Sequence, residues 1–270
     1  MSRKKRAWAN KEVETFVCIL GEEDVVYDVY VAAAAIDIRP TTKGIWYRFG
    51  YRNGAVTRMV PDRWKCATRE ISNMGYGNIM SVETSGASNV TARAYGKGLT
   101  KGGVPASEKM ASDDLERMKS YKTIIGNVAD KYDVDRALIA AIISRESQAG
   151  KSISGKAGWG DNGKGFGLMQ VDKRWHQPRG AWNSEAHLDQ ATKILVDFVP
   201  VVQKKFPGWS PEKHLKGAIA AYNMGERVLS YSIVDHVTTG QDYSSDVVAR
   251  AQFYKGKLER DLCDDLCSIS

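Results

Sequence analysis

Between Arg136 and Ser147 the chain reads Arg-Ala-Leu-Ile-Ala-Ala-Ile-Ile-Ser-Arg-Glu-Ser, and Leu138, Ile139, Ile142 and Ile143 recur at the three- and four-residue spacings of one helical face. Asp135 stands where such a helix needs an N-cap. Similar spacing predicts a helix capped at Ser107 and continuing through Met110, Ala111, Leu115 and Met118, and another over residues 121–131. Further helices are expected over 184–200, through Leu188, Ala191, Leu195 and Phe198, over 216–222 with Leu215, Ala218, Ile219 and Tyr222 on one stripe, and from near Ser244. The period breaks between Gly158 and Asp172. Five glycines fall within ten residues there, Asp161-Asn162-Gly163 is a turn signal, and Phe166 to Val171 reads as a short strand, so a hairpin is predicted. In the first 72 residues Val13, Phe16, Val17 and Leu20 lie at helical spacing, while Pro40, Gly44, Gly50 and Gly54 interrupt the middle. From Asn73 to about Pro105, Gly, Ser, Thr and Ala dominate a loop-rich approach to the helical part. The fold class that follows is α+β, mainly helical.

Glu146 lies seven residues after Ile139, four after Ile142 and three after Ile143, so its carboxyl is expected on the packed side of its helix. Desolvation there raises a carboxyl pKa, as a general acid working near neutral pH requires. The competing expectation is a structural ion pair with Arg145, Lys151 or another cation. The hairpin places Asp161 at its turn and Asp172 just past its returning strand, so two carboxylates face a cleft opposite Glu146. Cleavage of a glycosidic bond needs one protonated acid and a second carboxylate that activates water or acts as nucleophile. A phosphate-binding loop is excluded, because no Gly-Lys-Ser/Thr follows a strand at the required spacing.

Ile143-Ser-Arg-Glu146-Ser147, Gly158-Trp-Gly-Asp161, Gly165-Phe-Gly-Leu-Met-Gln-Val-Asp-Lys-Arg174, Ala221-Tyr-Asn223 and Asp246-Val-Val-Ala-Arg-Ala-Gln-Phe-Tyr254 together resemble the goose-type lysozymes. The likeness is continuous from about Asn73 to Lys255, and the order of its motifs is also similar to the wider lysozyme-like group that includes lytic transglycosylases. The resemblance implies a lysozyme fold with a small antiparallel sheet beside the cleft, Glu146 as catalytic acid, and Asp161 and Asp172 as holders of the attacking water. It implies hydrolysis of the β-1,4 bond between N-acetylmuramic acid and N-acetylglucosamine of peptidoglycan, with inversion, and chitin oligosaccharides as substrate analogues. No metal or organic cofactor is implied. His176 is similar to a position that lines the sugar cleft, and Gln170 is placed with it among substrate-binding residues. Asn223 carries an amide suited to a sugar N-acetyl group or to a helix C-cap. Tyr222 and Tyr243 each suit stacking on a sugar or packing in the core. The resemblance also marks a departure: cysteines of avian relatives are replaced here by Gly75, Asn89, Gly102 and Asp133. The other readings are a lytic transglycosylase and a nucleic-acid-binding protein with an inactive lysozyme-like part.

Composition adds less. The 270 residues carry a net charge of +7, which favours anionic partners such as bacterial envelopes or nucleic acid without choosing between them. The basic run Met1 to Arg6 is not followed by the apolar core of a signal peptide, and the apolar stretch from Val25 to Ile36 is too short to span a bilayer. Cys18, Cys66, Cys263 and Cys267 all lie outside the lysozyme-like region, and Cys263 and Cys267, four apart in an acidic tail, read as free thiols rather than a disulfide or half a metal site. The expected organisation is an extension over 1–72, a lysozyme domain over 73–256 and a tail over 257–270, in a monomer. The extension weakly resembles the opening of Myb/SANT-like DNA-binding modules through Trp8, Glu12 and Val13, with Lys4, Arg6, Arg63 and Lys65 as its basic residues.

Overall fold

The computed structural model describes residues 76–257 in full except Leu229, and the backbone alone of five strands between Val17 and Val60 and of the last helix as far as Cys267. The chain forms two compact units, Met1–Ile71 with Leu262–Ser270, and Ser72–Asp261.

In the first unit β1 (Val17–Leu20) pairs antiparallel with β2 (Val26–Val29), and β3 (Ile36–Thr41), β4 (Gly44–Tyr51) and β5 (Gly54–Val60) form an antiparallel meander with β4 in the centre. The helical start expected from Val13, Phe16, Val17 and Leu20 is therefore corrected for its described part, Val17 to Leu20, which is strand; Val13, Phe16 and the Trp8 motif lie outside the described residues. Four apolar positions cannot separate a helix from a short strand, and the β-branched Val17 and Ile19 favour strand. Pro40 is tolerated because β3 is an edge strand.

The second unit contains α1 (Asn89–Tyr95), α2 (Val104–Lys119), α3 (Lys122–Tyr132), α4 (Arg136–Ser147), α5 (Glu185–Lys205), α6 (Pro211–Met224) and α7 (Tyr243–Cys267), with β6 (Trp159–Gly160), β7 (Gly165–Phe166) and β8 (Val171–Asp172) between α4 and α5. These three strands form the small antiparallel sheet, in register Trp159 with Phe166 and Gly165 with both Gly160 and Asp172. The fold is mainly helical α+β, as the sequence pattern predicts.

Every residue of α4 from Ala137 to Ser144 is buried, so this helix is enclosed on all sides rather than along one stripe. It packs in one cluster with Ile125 and Val128 of α3, Leu188 and Leu195 of α5, Ile219 of α6, Val247 and Ala251 of α7, and Leu168 of the hairpin. Asp135 caps it, accepting from the Ala137 N–H at 2.9 Å, and Ser184 caps α5 in the same way through His187. Ser107 is not a cap. α2 begins three residues earlier, where Pro105 suits the first turn, and the buried Ser107 hydroxyl accepts from the Ala87 N–H and donates to Asp246 at 2.7 Å. α5 continues through Pro200 to Lys205, beyond the expected end. Helical backbone also runs into the expected tail, to Cys267.

Asn89 and Gly102, two of the four positions at which the resemblance implies replaced cysteines, meet directly: the Gly102 N–H donates to Asn89 Oδ1 at 2.8 Å, and the Gly103 N–H donates to the Ala87 carbonyl at 2.7 Å beside it. A Cβ on Gly102 would stand 2.2 Å from the Ala87 carbonyl oxygen, so only glycine fits this crossing.

Behind α4 lies a buried ion network. Asp246 accepts from Arg145 Nη1 at 2.5 Å, from Arg250 Nε at 3.1 Å and from Ser107, and Arg145 Nη2 also reaches Asp242 at 2.9 Å. Asp114 accepts from Ser144 and Arg117 in the same region. Burial works against ionised Asp246, but Arg250 and Arg145 outweigh it and hold the carboxyl at about 2. Replacing Asp246 by Ala leaves the buried Arg250 guanidinium without a carboxylate and Arg145 with Asp242 alone, and should cost about 3–5 kcal/mol in urea unfolding. A loss too small to move the unfolding midpoint would show that the network does not carry stability.

Candidate active site

Glu146 ends the enclosed helix, one residue before its last, and is only partly accessible. Burial raises its carboxyl to about 7; the Tyr243 hydroxyl and the charge of Arg145 pull it down, and the charge of Asp161 pushes it up again. Tyr243 donates to Glu146 Oε1 at 2.5 Å. Arg145, the nearest cation in sequence, is committed to Asp242 and Asp246, and Lys151 is exposed. Among the described residues Glu146 forms no ion pair, which removes the structural alternative raised by its burial.

Asp161 opens the hairpin turn. Asp161, Asn162 and Gly163 all have positive φ, at 44°, 53° and 79°, a succession that Asp, Asn and Gly tolerate better than other residues. Its side chain is exposed, and its charge reaches Glu146. Asp172 ends β8 and is gripped by Arg174, whose Nε lies 3.0 Å from both carboxylate oxygens. That contact holds Asp172 below the usual carboxylate range. The hairpin thus presents one exposed carboxylate and one fixed by a guanidinium.

The connection between β7 and β8 is clamped by hydrogen bonds at each residue, and Leu168 and Met169 reach the surrounding helices. The Leu168 N–H donates to the Trp182 carbonyl at 2.9 Å, and the Leu168 carbonyl accepts from Ser147, next to Glu146, at 2.8 Å. The Met169 N–H donates to His187 Nε2 at 3.1 Å, and its carbonyl accepts from the Tyr222 hydroxyl at 2.8 Å. Gln170 Nε2 donates to the Gly167 carbonyl at 2.7 Å, and its Oε1 lies where a Cβ on Gly160 or Gly165 would fall. A Cβ on Gly167 would likewise collide with the His187 ring. The glycines predicted as turn residues are thus equally a requirement of close packing.

The remaining expected site residues fall as follows. His176 is exposed on the turn after Asp172. Asn223, near the end of α6, accepts from the Thr239 N–H at 2.9 Å and ties down the segment leading to α7; Gly225 rather than Asn223 forms the C-cap. Tyr222 and Gln170 spend their polar groups on the hairpin connection. Tyr243, which suited either stacking on a sugar or packing in the core, is 1% exposed and uses its hydroxyl on Glu146, so it is packed.

His187 was not legible as part of the site. Burial lowers it to about 4, so it is neutral and its Nε2 accepts from Met169, which assigns the proton to Nδ1; that atom has no partner among the described residues. A histidine three residues past the Ser184 cap, on the side of α5 that carries Leu188 and Ala191, is the one signal the sequence offers.

A mainly helical α+β unit in which a carboxyl held near neutrality stands with a two-aspartate hairpin is that of a lysozyme-like glycosidase. The lysozyme g family model matches residues 76–257. Lysozyme g of Takifugu rubripes is 53% identical over 192 residues, covering 68% of this chain and 99% of the relative, and that of Casuarius casuarius is 54% identical over 181 residues, covering 67% and 96%. Lysozyme g-like protein 2 of Homo sapiens is 43% identical over 181 residues, covering 67% and 80%. The chain belongs to the lysozyme g family and is a lysozyme, a glycosidase.

The Tyr243 hydrogen bond favours ionised Glu146, so Tyr243→Phe should raise the Glu146 carboxyl above about 7. Carbon NMR titration of the glutamate carboxyls reads this directly, and a fall in the Tyr243→Phe protein would contradict the geometry.

Proposed function

We propose that the chain hydrolyses the β-1,4 bond between N-acetylmuramic acid and N-acetylglucosamine of bacterial peptidoglycan, with inversion, and serves in defence against bacteria. The observation that carries this reading is Glu146, a carboxyl raised to about 7 by burial and free of any ion pair among the described residues. In its protonated form it donates its proton to the leaving glycosidic oxygen as the bond to the anomeric carbon breaks. A water on the opposite face of the sugar supplies the new bond to that carbon and loses a proton to a carboxylate. Asp161 and Asp172 hold that water. Asp172, kept ionised by Arg174, orients it as an acceptor. The positive charge of the chain favours encounter with polyanionic walls and has no part in the bond-breaking step.

Glu146→Gln keeps the shape of the side chain and removes the proton. Lysis of bacterial walls should fall by about 10²- to 10⁴-fold with circular dichroism unchanged; near-normal lysis by the folded variant would remove Glu146 from this role. In the parent protein the acid is protonated below about 7, so the rate should fall as pH rises through that value. Proton NMR of fresh chitin-oligomer digests reads the stereochemistry. An initial α-anomer supports inversion, an initial β-anomer defeats it, and 1,6-anhydro products would make the enzyme a lytic transglycosylase.

We further infer that residues 1–72 are dispensable for cleavage, since every candidate residue lies beyond them. Their deletion should leave wall lysis largely intact, and loss of lysis by a folded truncated protein would show that they complete the site.

A further inference from the structure

Trp175 is 80% exposed, more than any other large hydrophobic side chain among the described residues. Tryptophan is normally well buried, and this one lies in the chain segment that carries two candidate site residues. The Asp172 carbonyl accepts from the N–H of Trp175 at 3.1 Å and from that of His176 at 3.0 Å, closing a single helical turn directly after β8. The Asp172 carboxylate begins that turn as a cap does, accepting from the Arg174 N–H at 2.9 Å. In such a turn the capping side chain and those three and four residues later lie on one side. Asp172, Trp175 and His176 therefore share a face. The Arg174 guanidinium, fixed on the Asp172 carboxylate, holds the start of the turn in place.

We propose that Trp175 is a sugar-binding platform: its indole stacks on a pyranose ring of the glycan strand as that strand passes Asp172. An indole offers a large rigid apolar face that loses little conformational entropy on binding, and one face of an N-acetylhexosamine ring is lined by C–H groups. Three aromatic rings near the clamp are already engaged. Trp159 packs against Phe166 at 4.8 Å between ring centres, Tyr243 is buried, and the Tyr222 hydroxyl is bonded to Met169. Trp175 thus acts in binding and specificity and takes no part in proton transfer. The assignment rests on the proposal that the substrate is an N-acetylhexosamine polymer.

The test uses the full chain carrying Glu146→Gln, so that the ligand survives, and chitohexaose as probe in isothermal titration calorimetry. Adding Trp175→Ala should weaken binding about tenfold, equivalent to about 1.4 kcal/mol, whereas Trp175→Phe should recover most of the affinity. In the otherwise unaltered chain, Trp175→Ala should raise KM for chitin oligomers with kcat little changed. Equal affinity with and without the indole would overturn the platform while leaving the substrate assignment standing. A Trp175 indole N–H signal that stays fixed in proton–nitrogen NMR as chitohexaose saturates the protein would do the same. Failure of the Glu146→Gln chain to bind chitohexaose at all would overturn both.

Discussion

The guanidinium of Arg145 is shared between Asp242 and Asp246, and Asp246 is also held by Arg250 and Ser107. These groups come from α2, α4, α7 and the residue before α7, so one cluster of charge ties the beginning and the end of the unit to its central helix. Buried charges persist only when paired, and the pairing here has a second effect. It draws the cation adjacent to Glu146 away from Glu146. The carboxyl is left with one direct donor, Tyr243, and only the more distant pull of the guanidinium charge against the cost of burial, and it settles near neutrality rather than in the usual carboxylate range. Stability of the helix pack and the proton affinity of the site thus depend on the same arginine.

The hairpin meets this carboxyl through backbone rather than through side-chain charge. Ser147, Trp182, His187 and Tyr222 take up the polar groups of Leu168 and Met169, two residues whose side chains are fully buried. The connection is therefore fixed from both faces. What remains exposed is the turn at Asp161 and the turn after Asp172, the two places where the strands leave the clamp. The left-handed conformation of Gln170 is held by this surrounding contact, which offsets its local strain.

Much of this was legible in the sequence because it is local. The α4 core positions, the Asp135 cap and the Gly-rich turn at Asp161 all depend on spacing within a few residues. The partners of Arg145 lie about a hundred positions away in the chain, and nothing local distinguishes a guanidinium that pairs with Asp242 from one that pairs with Glu146. Tyr243 was ambiguous for the same reason: whether a tyrosine stacks on sugar or supports a carboxyl is decided by packing. Ser107 misled because serine before an apolar run suits a cap, while Pro105 sets the start of α2. Val17 to Leu20 misled because four residues are too few to define a period.

The unit from Ser72 to Asp261 contains no cysteine, and where Asn89 faces Gly102 a hydrogen bond from the Gly102 N–H to the Asn89 side-chain amide oxygen stands at the crossing. A covalent tie would have narrowed the unfolded ensemble; this chain relies on the native state alone, on the enclosed α4 and the ion network behind it. Its fold is therefore indifferent to redox potential. Thiol reductants that unravel stapled secreted domains have no bond to attack within this unit, and it can reach its native state in a compartment rich in glutathione as readily as in an oxidising one.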